Sequence, residues 1–148
     1  MRPEVQRHFS VLDRWLGRLA NDAREATDKL GSGTREGLER LVEAWRDAQS
    51  RLSGHLRLIE AKSFLIAARR LAAEGDFVAA GNELAAAIRD AKEAAGFLPS
   101  KDAHVVELTR EIDQAAADVK AKAASTVAHI EDALQRNEQL LEELERAA

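Results

Sequence analysis

Cysteine and tyrosine are absent from this chain, and aromatic residues make up only 4% of it. Without cysteine there are no disulfides, no thiolate metal ligands and no cysteine nucleophile. Two prolines and eight glycines in 148 residues leave few places where the chain is forced to turn. Alternating runs of valine, isoleucine and threonine are missing, which removes the signature of a strand. No run of about 18 apolar residues occurs, so no membrane span is expected. The opening "MRPEVQRHFSVLDRWLGRLA" carries charges every few residues and lacks the apolar centre of a secretory signal. A cytoplasmic location is therefore expected.

Positive charge is not in excess either. Residues 1–57 hold eleven Lys/Arg against nine Asp/Glu, and residues 58–148 hold eleven against seventeen. Binding along a phosphate backbone needs clustered positive charge, so nucleic acid is not an expected partner. What the chain does have is alanine, leucine, glutamate, arginine and lysine, the residues of long helices and coiled coils. The length suits one domain, residues 1–148, with enough chain to bury a core.

The apolar residues fall at helical spacing throughout. Val5, Phe9, Leu12, Leu16, Leu19, Ala23, Ala26 and Leu30 step alternately by four and three, which places them on one stripe. Gly31-Ser32-Gly33 ends that helix and Thr34 caps the next. Leu38, Leu41, Trp45, Ala48, Leu52, His55 and Ile59 continue the pattern, with Ser53-Gly54 as the weak point where a kink would fall. Gly75 then ends the second helix and Asp76 caps a third carrying Phe77, Ala80, Leu84, Ala87, Ile88 and Ala91. Pro99 enforces a stop before the last helix.

That last helix holds two heptad runs. Val105, Leu108, Ile112, Ala115 and Val119 form the first; Val127, Ile130, Leu134, Asn137, Leu141 and Leu144 form the second. The stripe slips by one residue between them. The expectation is an all-α, elongated antiparallel bundle or coiled coil of four helices, at about 4–30, 34–74, 76–96 and 101–146. At 1.5 Å per residue the last helix would be ~68 Å long, so residues 122–148 would protrude. Either that segment folds back at the slip, or it pairs with another chain. Asn137 at a core position fits a register-setting polar residue in such a pairing.

Candidate chemistry is sparse. His104 and Glu107 stand one turn apart with Glu111 nearby, a spacing that a glutamate-rich surface helix produces readily without a metal. His55 lies on an apolar stripe, where a packed, hydrogen-bonded histidine is the usual finding. No serine sits in a nucleophile elbow and no glycine-rich loop follows a strand. Trp15 and Trp45 flank the stripes, where core packing competes with a role as partner anchors. No enzyme activity, no cofactor, no metal and no small-molecule substrate is expected.

One stretch resembles a known unit. Ala67, Ala68 and Leu71, then Gly75 and Phe77, then Ala80, Leu84 and Ala87 are spaced like the packing positions of a tetratricopeptide-repeat hairpin. Ala68 stands where that family usually has glycine, and Lys92 where it usually has proline. No second copy lies 34 residues to either side, and a solenoid needs about three repeats. The resemblance implies a tight helical hairpin of a protein-binding kind; a plain helical hairpin rich in alanine would look the same.

The sequence thus points to a non-catalytic helical scaffold or adaptor acting through helix–helix contact, with a protein partner or its own copy. The residues expected to carry the contact are Ile130, Leu134, Asn137, Leu141 and Leu144. The alternative is an amphipathic protein that binds a membrane surface.

Overall fold

The protein is described by a computed structural model covering residues 3–30, 35–98 and 102–146. The expected Gly31–Gly33 turn, the Thr34 cap and the Pro99 stop lie outside the described residues, as do the side chains of Val5, Ala26 and Leu30. The described residues form five α-helices and no strand: α1 Pro3–Leu30, α2 Arg35–Ala73, α3 Phe77–Phe97, α4 Asp102–Ala121 and α5 Thr126–Arg146. The all-α class holds, but the count rises from four to five because the segment 101–146 is two helices.

The break falls where the heptad slips. Lys122 takes a positive φ of 51°, a left-handed conformation that ends a helix. Its N–H donates to the Val119 carbonyl at 3.1 Å, and the Ala123 N–H donates to the Asp118 carbonyl at 2.9 Å. These two bonds satisfy carbonyls that the end of α4 leaves open. The Ser125 carbonyl then accepts the His129 N–H at 3.0 Å, which starts α5. The chain therefore reverses, and α5 lies back along α4 and α2 instead of protruding.

Two long-range pairings give the direction. Glu111 and Arg136 join α4 to α5, while Lys62 and Glu138 join α2 to α5. Helix α2 touches both α3 and α5, and α4 touches both α3 and α5. The result is an up-and-down four-helix bundle made of the second half of α2 with α3, α4 and α5. Its core is filled by Leu58 and Leu65 of α2, Leu84 of α3, Leu108 and Ile112 of α4, and Ile130, Leu140 and Leu141 of α5, all fully buried. Each such side chain contributes roughly 1.5–3 kcal/mol relative to exposure.

Helix α3 presents mainly alanine to the core: Ala80, Ala87, Ala91 and Ala94 are buried against α2 and α4. Small residues at a crossing let two backbones approach closely. The turn into α3 is held as its residues suggest. Gly75 has φ +83°, and the Asp76 carboxylate accepts the Ala79 N–H at 3.2 Å as the cap of α3. Helix α2 runs unbroken through Ser53-Gly54. Gly54 is buried there under the Leu98 side chain, where a Cβ would come within 2.5 Å of Leu98 Cγ. The weak point in propensity is a point of close contact.

Beyond the bundle, α1 runs antiparallel to the first half of α2. His8 meets His55 and Trp15 shares a cleft with Ala48. Among the described residues α1 packs extensively on α2 alone.

Candidate functional site

The hairpin has two different sides. On one, Trp15, Arg18, Asp22, Asp47, Ala48 and Arg51 line a small charged cleft, and Arg51 pairs with Asp47 at 3.1 Å. On the other, Leu19 and Ala23 of α1 face Leu38, Leu41, Val42 and Trp45 of α2 across an open groove of about 590 Å³. Five large apolar side chains of the hairpin stay in solvent: Phe9 48%, Leu16 44%, Leu38 57%, Val42 47% and Trp45 48% exposed. Leu38, Val42 and Trp45 line the groove, and Phe9 and Leu16 are exposed on α1 beside it in sequence.

The α1 stripe explains how this arises. Its apolar band is wider than one neighbour can cover. Val11 and Trp15 turn inward and are buried, whereas Phe9 and Leu16, expected on the packing stripe, turn outward. Trp15 is a core residue and Trp45 is not. Leu19 and Trp45 both line the groove.

A charged clasp fixes the base of the hairpin to the bundle. Arg7 donates from Nε to Glu145 at 2.9 Å and from Nη1 to Glu138 at 3.0 Å. Lys62 Nζ reaches Glu138 at 3.1 Å. His55 is fully buried; its Nε2 lies 3.2 Å from Glu145, its Nδ1 lies 2.9 Å from His8 Nδ1, and Trp15 meets its ring edge-on. With Glu145 accepting from Nε2–H, Nδ1 of His55 accepts from His8. Burial holds His8 and His55 below the usual histidine range. Burial pushes the Glu145 carboxyl up, but hydrogen bonds from Arg7 and His55 outweigh it and hold it below the usual carboxylate value. The guanidinium of Arg7 is raised chiefly by its bond to Glu145.

Both ring nitrogens of His55 are engaged by protein groups, so it offers none to a substrate or metal. No family model, curated protein or solved structure matches the chain. Function has to be sought in the chain's own surfaces.

Two further polar clusters are structural in geometry. Asp118 accepts from Ser125 Oγ at 3.1 Å and Gln114 at 3.4 Å, and binds His129 Nδ1. The His129 bond in particular holds the Asp118 carboxyl below its ordinary value. The serine bonds the carboxylate and not the histidine, which is the wrong order for an activated nucleophile. Together they brace the α4–α5 reversal. Asp90, buried on α3, is raised to about 6 by burial and then by Glu60, with Arg57 binding Glu60 and Glu93 beside it. Among the described residues no group of three or more His, Cys, Asp and Glu could hold a metal ion, and no helix is long and apolar enough to cross a membrane.

The residues expected to meet a partner on the last helix are placed differently. Ile130, Asn137, Leu141 and Leu144 are buried and Leu134 is half-buried, all in the bundle core. Helix α5 lies against α2 and α4 of the same chain, so the reversal at 122–125 gives this stripe an internal partner. Sequence reasoning missed the outward turn of Phe9 and Leu16, because a heptad stripe says which residues seek cover and not what covers them. It also missed the clasp, whose members lie up to 138 residues apart. One signal was present: Glu138 and Glu145 are a heptad apart beside the α5 stripe, the position from which charges reach a neighbouring helix.

Proposed function

We propose that this protein is a non-catalytic helical adaptor or scaffold that works by helix–helix contact, with the apolar face of the α1/α2 hairpin as its contact surface. The observation that supports this is the exposure of Phe9, Leu16, Leu38, Val42 and Trp45 together on one hairpin. Anchors at i, i+4 and i+7, here Leu38, Val42 and Trp45, are the pattern of helix-in-groove recognition. The four-helix bundle then serves as the rigid base from which the hairpin projects, and the clasp sets its angle.

Site-specific photo-crosslinking tests the reading. A photoreactive phenylalanine analogue at position 42, irradiated in the cells that make the protein, is expected to yield a protein adduct that Leu38→Glu abolishes. Leu38 is exposed, so the charge should leave folding intact. Absence of any adduct at position 42, with the protein folded and abundant, sinks the reading.

A further inference from the structure

We infer that the occupant of the hairpin groove is a second copy of this chain, with two α1/α2 hairpins closing face to face into an intermolecular four-helix bundle. This rests on the reading of the hairpin face as a contact surface and names its partner.

Area is the first argument. The five exposed side chains offer roughly 500 Å² on one copy and roughly 1,000 Å² on two, the lower bound of a specific interface before any flanking residue is counted. Two hairpins of equal length bring matching helices. The same chain meets the same need at its other end with four helices, where α3, α4 and α5 cover α2. Among the described residues the hairpin end is built of two helices, α1 and α2.

Charge is the second. Asp13 is exposed on α1 between Phe9 and Leu16 on the same face, since residues three and four apart are helix neighbours. Arg46 is exposed on α2 and lines the groove beside Val42 and Trp45. Asp13 on one rim and Arg46 on the other carry opposite charge. A two-fold axis along the hairpin lays α1 of one copy over α2 of the other, and Asp13 of each copy then faces Arg46 of the other. The antiparallel register set by His8 and His55 leaves Asp13 and Arg46 about 6 Å apart along the axis by the helical rise, within the reach of an arginine side chain. Exposed Asp13, Arg24 and Arg46 give this end mixed sign, which suits a second copy better than an anionic lipid surface, where basic residues are favoured throughout.

Sedimentation velocity of the full chain from roughly 1 to 100 µM tests this. A dimer is expected, converted to monomer by Leu38→Glu with Val42→Glu, while the helical signal is retained. Asp13→Arg alone and Arg46→Asp alone should each weaken the dimer several-fold, and the two together should restore it. A wild-type chain that stays monomeric across the range overturns the proposal. In the crosslinking experiment an adduct with the mass of two chains supports it. An adduct of another mass overturns the second copy and leaves the contact-surface reading standing. A monomer that floats with anionic vesicles through this face overturns both.

Discussion

Gly54 illustrates how a residue's meaning depends on what lies above it. Propensity alone makes it a liability in mid-helix, by about 1 kcal/mol against alanine. In the fold it is the seat of Leu98. Gly54→Ala is expected to destabilise by about 1–2 kcal/mol in denaturant titration, because the overpacking cost exceeds the propensity gain. In a Leu98→Ala background the same change should become neutral or favourable, and persistence of the penalty there would locate the strain elsewhere. Asn137 makes the opposite case. Its heptad position suggested a polar register-setter, and both its side-chain Oδ1 and Nδ2 are buried without a hydrogen-bond partner. Leaving such a group unpaired costs about 1–3 kcal/mol, so Asn137→Leu should raise the melting temperature. A lower or less cooperative transition would show that the polar group specifies the packing.

Helix α1 is joined to the bundle by the clasp, and the clasp titrates. His8 and His55 are both held below the ordinary histidine value by burial. Near pH 6.5 the folded state therefore binds fewer protons there than the unfolded chain. Their contribution to stability is present above about 6.5 and is lost as pH falls below it. The charged groups facing the pair are Arg7 on α1, Lys62 on α2, and Glu138 and Glu145 on α5. Arg7 keeps Glu145 ionised in this window, so the carboxylate does not mask the effect. Hydrogen exchange of α1 amides, corrected for intrinsic rates, should accelerate roughly tenfold from pH about 7.5 to about 5.5. His55→Gln should flatten that dependence. Equal acceleration in α3 and α4 would mean that the clasp is not the responsive element. Asp90 acts with the opposite sign: its raised value favours the folded state at low pH, and that contribution is lost as pH rises through about 6. It sits at the α2–α3 contact, beside Arg57 and Glu60 of α2.

At the scale of the molecule, two leucines with the same heptad credentials have different fates. Leu141 is buried inside the bundle and Leu38 is in solvent. Leu141→Asp buries an unpaired charge and should abolish the cooperative helical transition, by more than about 4 kcal/mol. Leu38→Glu should leave the bundle's transition in place and remove only the concentration dependence of melting that the proposed self-association would confer. Comparable unfolding by both substitutions in circular dichroism would place the hairpin face in the core. The helical faces, the cap at Asp76 and the turn at Gly75 were legible because propensity, capping and heptad phase are local properties of the chain; the slip in phase near residue 122 was visible too, but not that it divides the last helix in two. Which stripe would be covered was not. That was decided when Lys122 turned the chain and brought α5 back onto α2 and α4. Burying the α5 stripe within one molecule needs no second chain, whereas Phe9, Leu16, Leu38, Val42 and Trp45 of the hairpin are among the large apolar side chains that stay exposed.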